Sequence, residues 1–65
     1  MNFDDDKAGL LLNAIGMAVV DLIAAQVPIT RDTLVERLEH NRKVTGNVIG
    51  KGANRDAAEL VRKGQ

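Results

Sequence analysis

The sequence predicts an all-α protein: an antiparallel helical hairpin with a short third helix, dimerising through a long apolar first helix. Three observations carry this expectation. Apolar residues recur at helical spacing, and no run alternates as a strand would. Pro28 and the hydroxyl-bearing residues after it divide the chain where one helix must stop and another can start. The chain has only 65 residues and no cysteine, so it buries roughly 60 % of its unfolded surface and gains stability from an added interface. All of 1–65 is expected to form one small domain, with a frayed start over 1–6 and helices near 7–26, 31–44 and 54–63.

The first helix follows from the apolar pattern after Lys7. At 100° per residue, Leu11, Leu12, Ile15, Val19, Leu22 and Ile23 fall within an arc of about 120°. Asp6, Lys7, Asn13 and Asp21 lie opposite, mixed with Ala14, Ala24 and Ala25. Val20, Met17 and Leu10 add more apolar surface than one short partner helix covers, which points to self-association. Gly9 and Gly16, seven apart, would let a second helix approach closely. The acidic run Asp4, Asp5, Asp6 suits a helix N-terminus, where the macrodipole favours negative charge.

Pro28 biases Val27 out of the α region, so the first helix should end near Ala25. Thr30 is then a good N-cap, with Arg31 and Thr33 at the first and third helical positions. Ile29 and Leu34 have the spacing of a hydrophobic staple. Thr33 and Glu36 have capping-box spacing too, so the start could slip by one turn. Leu34, Val35 and Leu38 give the second helix its apolar face. Gly46, Gly50 and Gly52 leave 45–53 open between loop and helix. A third helix is expected from Asn54 as N-cap, with a narrow stripe of Ala57, Leu60 and Val61 and with Gly64 at its C-terminal end. The expected core and dimer interface is Leu11, Leu12, Ile15, Val19, Leu22, Ile23, Leu34 and Leu38, joined by Leu60 and Val61.

Charge is balanced overall and uneven locally. Residues 1–30 carry Lys7 against Asp4, Asp5, Asp6 and Asp21, a balance of −3. Residues 31–65 carry eight basic and five acidic side chains, a balance of +3. Arg42, Lys43, Lys51 and Arg55 are the candidate contact for nucleic acid or an acidic partner. Interleaved Asp32, Glu36, Glu39, Asp56 and Glu59 oppose a pure phosphate-binding role. Phe3 is the only aromatic residue, so stacking platforms for single-stranded nucleic acid are lacking.

No residue set points to catalysis, a cofactor or a metal, and the protein is not expected to be an enzyme. Without cysteine there is no zinc finger, and with one histidine a metal or nucleophile site would have to be built from carboxylates or hydroxyls. The stretch Gly46–Gly52 resembles a phosphate loop only loosely. Three residues lie between Gly46 and Gly50 instead of four, Gly52 stands where Ser or Thr would hold magnesium, and no strand precedes it. The three N-terminal aspartates lack the glycine and terminal glutamate of a calcium loop. His40 has Glu36 one turn before it, but no nucleophile accompanies them. Ala8 to Val27 is long enough to span a bilayer, yet a central Asp21 costs about 2.5–3.5 kcal/mol on insertion scales. The acidic flank also lacks the positive region of a signal peptide. A cytoplasmic protein with no membrane role is expected.

The order of these elements resembles the YmgB/AriR family of small biofilm-development and acid-resistance regulators, some described as two-component-system connectors. The resemblance runs through Ile15–Ile23 (IGMAVVDLI), Pro28–Glu39 (PITRDTLVERLE) and Ala57–Val61 (AAELV). An apolar helix is followed by a short loop, a capped helix with Leu34 and Leu38 on one face, and a last helix with Leu and Val. It covers about residues 10–63. It implies an all-helical homodimer that regulates transcription or signalling by contacting a response regulator or DNA. Gly46, Gly50 and Gly52 depart from the more continuous helix of that family, and without cysteine no redox-linked dimer can form here. The leading expectation is therefore a non-enzymatic regulatory adaptor. The alternatives are a DNA-binding modulator and an antitoxin-like or phage-encoded inhibitor.

Overall fold

The computed structural model describes residues 5–64, with side chains from Lys7 onward; residues 1–4 of the expected frayed start lie outside it. It consists of three helices, α1 (Asp5–Ala24), α2 (Arg31–Val44) and α3 (Val48–Lys63), with no strand among the described residues. Each helix packs against the other two.

α1 ends just before Ala25, as Pro28 demands. The Gln26 amide donates to the Ile23 carbonyl at 3.1 Å and the Val27 amide donates to the Leu22 carbonyl at 2.9 Å. This is a Schellman closure, and it requires a left-handed residue. Gln26 supplies it at φ 59°, where glycine would be the unstrained choice.

α2 starts at Arg31 with Thr30 as its cap. The Thr33 amide donates to the Thr30 hydroxyl at 3.1 Å, and the Thr30 amide donates back to the Thr33 hydroxyl at 2.8 Å. The same Thr33 hydroxyl donates to the Pro28 carbonyl at 2.7 Å, tying the helix to the loop that enters it. The start does not slip to Thr33, because Thr30 and Thr33 already satisfy each other's amides in a capping box.

α3 differs from the expectation. It begins at Val48, not near residue 54, and its cap is Asn47, whose side chain accepts from the Ile49 amide at 2.8 Å. Asn54 lies inside the helix and donates to the Gly50 carbonyl one turn back at 2.9 Å. Of Gly46, Gly50 and Gly52, a Cβ at the first and last would meet nothing within 4 Å, whereas Gly50 has a packing reason. A Cβ there would stand 3.1 Å from the Thr45 hydroxyl, where the first turn of α3 folds over the end of α2.

The core is built from small residues around one large one. Leu38 is fully buried, and Ala18, Ala57 and Ala58 are fully buried around the same cluster with Leu11 and Ala14. Ile15, Leu34, Val35, Ala53 and Val61 pack against it, partly covered. Alanines let the three helix axes close on Leu38, and interior packing leaves little void. The buried stripe of α1 is therefore Leu11, Ala14, Ala18 and Leu22, at spacings of three, four and four. That stripe is rotated from the expected one. Ala14 was expected on the outer side and is inside, whereas Leu12 and Ile23 point outward. Leu60, expected in the core, is exposed as well.

Candidate interaction surface

Two forces set how α1 is turned. The first is the alanine stripe, which allows a closer approach to α2 and α3 than Leu12 or Ile23 would. The second is Asp21. Its carboxylate accepts from Asn41 Nδ2 at 3.1 Å and Arg37 Nε at 3.3 Å, both on α2. This draws the only acidic residue in the second half of α1 toward α2 and away from the outer side.

The outer side of α1 is left nearly without polarity. From Gly9 to Ala24 the exposed positions are Gly9, Leu10, Leu12, Asn13, Gly16, Met17, Val20, Ile23 and Ala24, and Asn13 alone is polar. Leu12 is 71 % exposed, Val20 63 %, Ile23 61 %, Met17 57 % and Leu10 43 %. In the middle of this face, a Cβ added to Gly9 or Gly16 would meet nothing within 4 Å. The stretch Lys7–Ala24 is long and apolar enough to cross a membrane by length and composition. The molecule is also thin, with principal extents of 33 × 30 × 15 Å. α2 and α3 both pack on the buried stripe of α1, so its outer side is left uncovered among the described residues.

Of the expected interface residues, Leu11, Leu22 and Leu38 are buried within the chain, and Ile15, Val19 and Leu34 are half-buried. Leu12 and Ile23 are on the outer face. The sequence reading missed the role of Ala14, Ala18 and Ala58; their signal was the regular spacing of Leu11, Ala14, Ala18 and Leu22.

The expected basic contact is partly neutralised. Arg42 pairs with Glu39 at 3.8 Å and Arg55 with Asp56 at 3.3 Å. Glu39 also receives Arg62 of α3 at 4.0 Å. These pairs are exposed to solvent and contribute little to stability, but they occupy charge a phosphate would need. No ion pair, hydrogen bond or groove among the described residues gathers Arg42, Lys43, Lys51 and Arg55 into one site.

Three helices meet at a shallow groove of about 310 Å³, with Leu10, Met17 and Val44 on its apolar rim and Asp21, Asn41 and Asn54 among its polar groups. Asp21 and Asn41 bond to each other there, and Asn54 to the α3 backbone. His40 and Glu36 line a separate open groove with Leu22, Val27 and Arg37, without a hydrogen bond between them. Among the described residues no group of three or more His, Asp or Glu could hold a metal ion. The aspartates of the chain's start lie outside the described side chains.

No protein-family model matches the chain, and no curated protein or solved structure is significantly similar to it.

Proposed function

We propose that this protein is a small non-enzymatic regulatory adaptor that works by helix-mediated protein contact, with the outer face of α1 as its self-association surface. The single observation that carries this reading is that face: five large apolar side chains and two open glycines, interrupted only by Asn13. Contiguous apolar surface of this kind marks an interaction site on a soluble domain. The α1–α2 pair is read as an antiparallel hairpin. Leu22, late in α1, shares a groove with Thr33, early in α2, and Leu10, early in α1, shares a groove with Val44 at the end of α2.

The magnitude is compatible with a homodimer. Leu10, Leu12, Met17, Val20 and Ile23 leave the equivalent of about three whole side chains uncovered per copy. At about 1.5–3 kcal/mol for each, two copies gain roughly 9–18 kcal/mol on burial. Association costs roughly 4–15 kcal/mol, so the balance favours pairing over most of this range and passes the about 8 kcal/mol of micromolar affinity toward its favourable end. The resemblance of its order of elements to the YmgB/AriR family is what suggests a role in bacterial stress, biofilm or two-component signalling, with a response regulator as a further partner.

Solution mass by light scattering, down to low micromolar concentration, tests the reading. A mass of about 14 kDa, twice the 7.0 kDa of one chain, is expected. A fully helical species of single-chain mass would refute self-association. Titration with duplex DNA at two salt concentrations tests the rival: steep weakening with salt would mark phosphate binding.

A further inference from the structure

The outer face of α1 has an internal order that self-association alone does not require. Gly9, Gly16 and Ile23 are seven residues apart. Seven residues fall about 20° short of two full turns, so the three lie on one nearly axial line. Both glycines face open space and Ile23 stands 61 % exposed at the far end of the line. We propose that two copies pair α1 against α1 in antiparallel orientation about a two-fold axis at Gly16, with Gly9 of each copy opposite Ile23 of the other. This deepens the self-association reading above and rests on it.

Size and charge favour this register over the parallel one. About Gly16, the antiparallel layers read Gly against Ile, Gly against Gly, and Ile against Gly, so each Ile23 seats where the facing helix has no side chain. The bulk is equal at both ends and the axes stay evenly spaced. A parallel pair would place glycine on glycine twice and then Ile23 on Ile23, which forces the helices apart at one end and leaves a void at the other. Leu12 faces Val19 of the other copy in the antiparallel arrangement, continuing the apolar contact, and Asn13 lies beside Val20 at its edge. α1 also begins with Asp5 and Asp6. A parallel pair brings two acidic ends and two like dipole ends together; an antiparallel pair separates them. A two-fold contact is self-complementary and closes at two copies.

A lipid surface fits the same face less well. Helices that lie in a bilayer interface combine an apolar side with Lys and Arg that reach anionic headgroups. The exposed positions of α1 from Gly9 to Ala24 hold neither.

The chain has no cysteine, so single substitutions report register directly. Gly9→Cys and Ile23→Cys are prepared separately in the full chain, one carrying an affinity tag, and exposed to mild oxidant at a concentration where wild-type mass is measured alongside. In the antiparallel register, like positions 9 and 9 are about 21 Å apart along the axis. A disulfide needs Cα atoms within about 7 Å. Neither variant is expected to link to itself, and the equimolar mixture is expected to form the mixed dimer. Self-linking of Gly9→Cys would overturn the proposal in favour of a parallel pair. A wild-type dimer whose mixture fails to link would overturn the register and leave self-association standing. A single-chain wild-type mass would overturn both, and co-sedimentation of that species with neutral phosphatidylcholine vesicles would then assign the face to lipid.

Discussion

Val20→Asp separates the two duties of α1. Val20 lies on the outer face at 63 % exposure and belongs to no part of the buried cluster. In the single chain the new carboxylate therefore stands in water, and a surface change of this kind shifts folding by no more than about 0.5 kcal/mol. In a dimer, burying the remaining two thirds of a valine gives about 1–2 kcal/mol per copy, or about 2–4 kcal/mol for two. Those contacts are lost, and two carboxylates are desolvated near the two-fold axis with no basic residue on the face to pair them. The contact loss alone weakens association by roughly 30- to 1,000-fold, and desolvation adds to it. Sedimentation or light scattering over a dilution series reads the dissociation constant, and far-UV circular dichroism reads helicity. The expected result is a helical species of single-chain mass at concentrations where the wild type is dimeric. A variant that dimerises as tightly as the wild type would sink the assignment of this face.

Three further substitutions probe the fold that presents it. Leu38→Ala removes the one large, fully buried side chain; the surrounding alanines are too short to close the gap, so a loss of about 3–5 kcal/mol in urea unfolding is expected. That is much of the roughly 3–10 kcal/mol available to a chain of this size, and unchanged stability would show that the core lies elsewhere. Gln26→Gly relieves the left-handed residue of the α1 closure. A gain of about 0.5–1 kcal/mol is expected after the added freedom of the unfolded chain, and a lower melting temperature would contradict it. Gly52→Ala adds a methyl group in open space inside α3 and should stabilise it by about 0.5–1 kcal/mol. Gly50→Ala meets Thr45 and should gain less or lose; equal gains at the two sites would refute the close approach described there.

The boundaries legible in the sequence were those set by strong local chemistry. Pro28 ended α1, and Thr30 with Thr33 started α2, because proline geometry and side-chain capping act within one turn. The start of α3 was not legible. Gly50 and Gly52 lower its helix propensity by about 1 kcal/mol each, and only the fold shows that the first turn of α3 meets Thr45 and that the helix packs on α1 and α2. The rotation of α1 was also hidden. Hydrophobicity ranks Leu12 and Ile23 above Ala14 and Ala18, but the inner face was decided by which residues let backbones approach and by where Asp21 found its amide and guanidinium partners. The excess of apolar surface on α1 was legible from composition alone, because no rotation of a helix with so few polar residues can hide all of it.

That excess connects the fold to the proposed function. A helix apolar on all sides is ordinarily covered on all sides. Here α2 and α3 cover one side, and no further helix among the described residues covers the other. Domains reach stability by packing layers together, and the outer side of α1 has no such layer. The same arithmetic that leaves the single chain marginal leaves α1 half-dressed, so stability and recognition are met by one contact. If α1 pairs with α1, each copy supplies the layer the other lacks, and α2 and α3 become the outward surfaces of the assembly. Those surfaces carry the charges of residues 31–64, eight basic and five acidic, interleaved and laced by the Glu39–Arg62 and Arg55–Asp56 pairs. A partner read by such a surface is selected by the pattern of charge, and its binding should weaken with salt while the α1 pairing, built on apolar burial, does not.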